Sequence, residues 1–286
     1  ATMMALMIAR AYRGKRKVLV AKNAYHGAMP WNTPRPAGTL PEDRAHVIYF
    51  DYNDADSLTD AVREAGADLA GIFAAPFRHD TFTDQSMPDP EYARTARALC
   101  DEHDALLIVD DVRAGLRVTR DCSWETVGVR PDLSAWGKVL GNGQPISALV
   151  GNDRARKAAG EIFVTGSFWF SAVPMAAALA TLKIVRSSDY LERMQSIGDS
   201  FRAGLCAQAE DYGFALRGNP AERYALWADP EDMVYDLDKG VPAEVRKLAL
   251  LEARVGYMPI EAARAGSGAR ALTDGVLRLL HATEDE

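Results

Sequence analysis

Two adjacent carboxylates, Asp110 and Asp111, follow directly on Leu106-Leu107-Ile108-Val109. Four apolar residues in a row read as a buried strand, so the pair falls at its C-terminal end, the edge at which parallel sheets bind ligands. A carboxylate in that position needs a cationic or hydrogen-bond-donating partner. A solvated turn, a magnesium pair and an anion facing a protonated ligand nitrogen all meet that need. Lys138 stands between Leu133-Ser134-Ala135-Trp136 and the turn-rich Gly141-Asn142-Gly143-Gln144-Pro145. A lysine is ordinarily a surface residue, whereas a half-buried amine in such a turn suits Schiff-base chemistry, because desolvation lowers its pKa. Tyr25-His26-Gly27 offers an aromatic plate, an imidazole and a glycine that permits close approach. By itself the histidine reads as structural. The histidines at 46, 79, 103 and 281 have no metal-ligand spacing, so no metal site is expected.

These groups must be carried by elements. Val18–Val20, Val47–Phe50, Leu69–Ala75, Leu106–Val109 and Ala148–Val150 read as buried strands without polar alternation. Residues Thr2–Arg13, Asp54–Ala65 and Pro90–His103 read as helices, the last with Asp89 as N-cap and Pro90 in the first turn. Such alternation predicts an α/β fold with a mostly parallel sheet flanked by helices. Two longer helices are expected over Pro174–Val185 and Asp189–Ala209, then a smaller α+β domain with strands at Ala225–Ala228 and Val234–Leu237 and a helix at Ala243–Val255. The expected division is a large domain over residues 1–186 and a small one over 187–286.

The 286 residues carry 33 Lys+Arg against 40 Asp+Glu, a formal charge of −7, which argues against a binder held by nucleic-acid phosphates. No apolar run approaches the ~20 residues of a membrane span, and the expected location is the cytoplasm. Cys100, Cys122 and Cys206 are odd in number and far apart, which reads as reduced filler. Lys15-Arg16-Lys17 reads as a solvated turn, and Asp101-Glu102-His103-Asp104 sits unfavourably for a helix C-terminus. The chain starts inside a helix and stops at what reads as the first turn of another, His281–Glu286, so a longer parent polypeptide is expected.

The ordered combination of Tyr25-His26-Gly27, then Asp110-Asp111-Val112-Arg113-Ala114-Gly115-Leu116-Arg117, then Gly137-Lys138 with Gly141-Asn142-Gly143-Gln144-Pro145 resembles the class III, fold type I aminotransferases. Gly115-Leu116-Arg117 resembles their glutamate-1-semialdehyde aminomutase-like branch. The resemblance runs over nearly the whole chain, from Ala1-Thr2-Met3, similar to a Glu-Ala-Thr-Met helix of the family, to His281-Ala282-Thr283-Glu284-Asp285. It implies pyridoxal 5′-phosphate (PLP) as cofactor, held by Lys138 as a Schiff base, with Asp110 paired to the pyridine nitrogen. Val112 and Tyr25 are implied on the two ring faces, with His26, Thr2 and Ser167 as further cofactor-binding residues. Catalysis is assigned by this resemblance to Lys138 and Asp110. It also implies a homodimer with shared active sites acting on an amino donor and a carbonyl acceptor.

Several positions depart from the family. Its Ser/Thr-Gly phosphate turn would precede Ala1, its Glu-Pro after the third strand is Ala75-Pro76, and Asp111 replaces a glutamate. Trp169 stands where the family has a threonine that reaches the partner subunit's phosphate, with Ser167 or Ser171 as substitutes. Arg35, in the stiff Pro34-Arg35-Pro36 loop, is a candidate for a substrate carboxylate. The expected activity is transamination. The alternatives are an aminomutase or epimerase, a magnesium-dependent phosphate-handling enzyme, and a non-catalytic member of the fold.

Overall fold

The computed structural model describes residues 1–34, 36–78, 85–211, 216–218 and 226–228. The chain divides into two compact units, Ala1–Arg186 and Ser187–Glu286. In the first, helix α1 (Thr2–Arg13) leads into strands β1 (Lys17–Ala21) and β2 (Val47–Phe50). There follow α2 (Ala55–Ala65), β3 (Leu69–Ala74), α3 (Pro90–Glu102), β4 (Leu106–Asp110), β5 (Leu133–Trp136), β6 (Ala148–Gly151), α4 (Asp153–Glu161) and α5 (Ala172–Ser187).

The six strands form one sheet in the order β2-β1-β3-β4-β5-β6. Every pairing is parallel except β5 with β6. The periodicity of two along each strand divides its side chains between two cores. Leu19, Ile72 and Leu107 pack with α2 and α3 on one face, and Val18, Phe73 and Ile108 with α1 and α4 on the other. Interior strands β3 and β4 are buried throughout, as their unbroken apolar sequences required. The expectation of full burial fails at the edges. Tyr49 of β2 is exposed, and so is the end of β6, because an edge strand has no neighbour on one side.

Local chemistry sets the helix boundaries. Asp54 caps α2 by accepting from the Ser57 amide, and Asp89 caps α3 by accepting from the amides of Glu91 and Tyr92. Helix α4, absent from the sequence expectation, is capped by Asn152, whose side chain accepts from the Arg154 amide. The basic triplet is not merely solvated: Lys15 Nζ donates to the His103 carbonyl, Arg16 pairs with Asp68, and Lys17 Nζ donates to the Glu64 carbonyl. Lys15 thereby places a cation on the carbonyl end of α3, where it offsets the acidic residues there.

At the N-terminal edge of the sheet, Asp132 is almost wholly buried and receives several donors. Its carboxylate accepts from the Leu107 amide at 2.9 Å, from Arg97 at 2.9 Å and from Asn152 Nδ2 at 2.8 Å. Arg97 and Arg154 both also reach Asp101, so the starts of β4, β5 and α4 are bound to the C-terminal half of α3.

In the second unit the described elements are helix α6 (Tyr190–Asp211) and the antiparallel pair β7 (Leu216–Gly218) and β8 (Leu226–Ala228). Sequence reading missed β7. Its expectations for 234–237, 243–255 and 281–286, and that for Arg35, lie outside the described residues.

Candidate active site

Strand order reverses between β1 and β3, and open α/β sheets bind ligands at such a reversal, outside the C-terminal strand ends. Tyr25-His26-Gly27 follows β1 at this edge, and the His26 ring packs on Phe73 of β3, 5.7 Å between centroids. Past β3, the last residue of β4 is Asp110 itself.

His26 Nδ1 lies 2.8 Å from Asp110 Oδ2, between a fully buried imidazole and a nearly buried carboxylate. Asp110 Oδ1 accepts from the Val112 amide at 3.2 Å. The bond runs between Nδ1 and Oδ2, and the second ring nitrogen, Nε2, is buried with no hydrogen-bond partner among the described residues. Sequence reading named both residues but not their contact, which spans 84 positions and depends on strand order.

Asp111 points elsewhere. Both its oxygens face the Ser123 amide, at 3.1 and 3.4 Å, at the start of a short 3-10 turn over Ser123–Val127. The Cys122 thiol also bonds it. Burial, reinforced by the nearby Asp110 charge, pushes its carboxyl up to about 6. The two aspartates therefore do not converge on a shared ligand as a magnesium pair would. Among the described residues no group of three or more His, Cys, Asp and Glu is arranged to hold a metal. Trp124, in the same turn, donates from Nε1 to the Ala75 carbonyl, so an indole ties down the segment where the family's Glu-Pro is Ala75-Pro76.

Register brings Lys138 to the same edge. Asp110 pairs with Ala135 of β5, and Lys138 lies three residues further on. It begins a 3-10 turn, Lys138–Leu140, with φ of +46°, left-handed for a residue with a Cβ. Its carbonyl accepts from the amides of Gly141 and Asn142. A Cβ at Gly141 would lie 2.1 Å from the Gln144 carbonyl oxygen, so the turn requires glycine there. Lys138 is exposed, not half-buried as the Schiff-base reading asked. The buried charge at this edge is Asp110.

Thr2 joins the group from the first turn of α1: a Cβ on Gly27, at φ +103°, would meet its Oγ1 at 3.1 Å. Val112 is half-buried and borders Gly137, while Tyr25 is 46% exposed beside His26. Ser167 is exposed in the segment before α5, and no described hydrogen bond carries it to this edge. In that segment the Trp169 indole covers Gly166.

The described groups thus offer a buried anion, an exposed amine one strand away and an aromatic plate. Comparison with known proteins agrees. The sequence pattern of the family "Aminotransferase class-III" matches residues 1–218. Aminopentol aminotransferase from Sphingopyxis macrogoltabida is 58% identical over 217 residues, covering 76% of this chain and 51% of that protein. A 3-aminobutyryl-CoA aminotransferase from Cloacimonas acidaminovorans is 32% identical, covering 82% and 57%. The chain spans about half the length of the curated relatives it matches. Among solved structures, the PLP internal aldimine form of the FumI protein from Sphingopyxis sp. MTA144 superposes with a TM-score of 0.85 at 45% identity, covering all of this chain and 69% of that one. An α/β sheet with these groups on its C-terminal edge, a match over residues 1–218 and this superposition lead to one assignment: the chain belongs to the class III aminotransferase family.

Proposed function

We propose that this protein is a PLP-dependent aminotransferase, moving an amino group between an amine or amino acid and a keto acid or aldehyde. The observation that carries the reading is the buried His26–Asp110 pair at the end of β4, with Lys138 leaving the next strand. The residues fit the cofactor. A buried carboxylate bonded to an imidazole is the partner a protonated pyridine nitrogen needs, and Gly27 leaves room where a Cβ would press on Thr2. When bound, PLP supplies an electron sink for the carbon that carries the amino group.

The chain's own residues take the remaining roles. Asp110 orients and holds the pyridine proton, and His26 fixes Asp110 through Nδ1. Val112 and Tyr25 cover the two faces of the ring. Thr2, beside Gly27, would be a further contact to the cofactor. Lys138 Nζ would hold the cofactor and would be the base for the proton on the substrate carbon, a role worth roughly 10²–10⁴ in rate. These groups lie within residues 1–186, which we assign as the large domain, with 187–286 as the small one.

We further propose a homodimer with shared sites. Phe163, Phe168, Phe170, Val173 and Leu179 are more than three-fifths exposed, a concentration of apolar surface that monomers rarely leave in water. Ser167 and Trp169 lie in this same segment, which supports a role for Ser167 at the partner subunit's phosphate. Among the described residues no helix is long and apolar enough to cross a membrane. A cytoplasmic location is our proposal, supported by cysteines that are odd in number and far apart in the sequence.

The first amino donors to try are those of the 58%-identical relative, aminopentol-type amines. An aminomutase is the second reading, favoured by a glutamate-1-semialdehyde 2,1-aminomutase relative from Nitrosospira multiformis at 29% identity. The test is direct. Protein loaded with PLP should absorb in the visible, lose that band on borohydride treatment, and carry the reduced adduct at Lys138 by mass spectrometry. Incubation with donor but no acceptor should leave the cofactor as pyridoxamine phosphate; return of the original band supports the aminomutase. A protein with no adduct at Lys138 refutes the proposal.

A further inference from the structure

The turns that leave β4 and β5 grip each other through two reciprocal contacts. Val112 lies against Gly137, where a Cβ would stand 3.3 Å from Val112 Cγ1. In the opposite direction the six-membered ring of Trp136 lies against Gly115, where a Cβ would stand 2.6 Å from Cε3 and 2.7 Å from Cζ3. The indole is itself held, since Nε1 donates to Ser134 Oγ at 2.8 Å. The residue just beyond this clasp is Lys138, at φ +46°. A side-chain-bearing residue keeps a left-handed backbone only where its surroundings over-determine it. The Gly141 and Asn142 amides act from the far side of the turn, and the clasp acts from the near side.

We infer that Trp136 is a positioning residue: its ring, seated on Gly115 and fixed by Ser134, holds the Lys138 turn in place over the strand end that carries Asp110. The inference deepens the proposed function, since the amine it places is the one assigned to hold PLP. Trp136 touches no reacting atom in this account. It decides where the amine starts.

The experiment compares full-length protein with Trp136→Ala, Trp136→Phe and Ser134→Ala. Its first readout needs no cofactor: hydrogen–deuterium exchange at the Gly141 and Asn142 amides, which donate to the Lys138 carbonyl. Trp136→Ala should speed this exchange about tenfold, while the Asn152 amide, bonded to the Asp132 carbonyl at the opposite edge, exchanges at the parental rate. A general loss of stability would speed both. Trp136→Phe keeps a six-membered ring for Gly115 and should restore slow exchange, whereas Ser134→Ala frees the indole and should fall between. The second readout is PLP titration followed in the visible band. Trp136→Ala should raise the half-saturating concentration, with Trp136→Phe near the parent.

Parental exchange at Gly141 and Asn142 in Trp136→Ala overturns the inference, as does a Trp136→Phe variant that exchanges as fast as Trp136→Ala. If Trp136→Ala does not fold, Ser134→Ala decides, and parental exchange there overturns it. A parent protein without a borohydride-stable adduct at Lys138 refutes the proposed function instead, and the exchange data still decide the role of Trp136.

Discussion

Asp111 allows a pH dependence to be worked from the structure. Its carboxyl is pushed from an ordinary 3.8 to about 6, mainly by burial, with the Ser123 amide and Cys122 thiol pulling weakly the other way. The folded protein therefore holds this proton more tightly than the unfolded chain does. Below pH 4 both states are protonated and the stabilisation is fully present. Between pH 4 and 6 the unfolded chain releases the proton first, and above 6 the stabilisation is lost. A displacement of roughly two pH units corresponds to about 3 kcal/mol. Asp111→Asn keeps the shape and leaves an amide oxygen to accept from Ser123, but cannot ionise. Relative to the parent, the variant should gain about 3 kcal/mol in unfolding free energy from pH 4 to pH 7. Urea unfolding at pH 4, 5, 6 and 7, followed by tryptophan fluorescence, measures that difference, and subtraction of the parent curve cancels groups common to both. A difference that stays flat with pH, or falls, would refute the reasoning.

Three further outcomes follow from the same geometry. His26→Leu removes the partner of a buried carboxylate and should destabilise the protein by about 1.5–3 kcal/mol, read from urea midpoints, and weaken the PLP visible band. Asp132→Ala leaves the Leu107 amide and Asn152 Nδ2 without their acceptor and takes one of two carboxylates from Arg97, which should destabilise by about 1–3 kcal/mol, while any protein that still folds keeps the band. Replacing Phe168 and Phe170 together with serine should shift the sedimentation coefficient from dimer to monomer, and an unchanged dimer would show that this surface is not the interface.

Much of the fold was legible because the informative signals were local. Asp54, Asp89 and Pro90 mark helix starts through their own side chains, and the apolar runs at Leu69–Ala74 and Leu106–Val109 are too continuous for a surface element. What could not be read depends on neighbours distant in sequence. Lys15 was taken as solvated because nothing nearby signals that the His103 carbonyl waits 88 positions away. Strand β6 runs antiparallel, and Tyr49 meets water, for reasons of strand order alone. For the site, motif order located Asp110, Lys138 and His26 but not the bond between His26 and Asp110. Asp110 is buried and Lys138 exposed, because the strand extends through residue 110 whereas Lys138 stands beyond the end of its own.

The ionic cluster around Asp132 and the reacting groups occupy opposite ends of the same strands. The framework is thereby fastened at one rim, and the rim that carries the candidate site is left to connecting segments such as 25–32 and 112–120. Changes of residue in those segments can redirect substrate choice without loosening the fastening. A scaffold of this polarity lends itself to diversification: under the proposed function, new amine preferences would accumulate around an unchanged Asp110 and Lys138, one loop at a time.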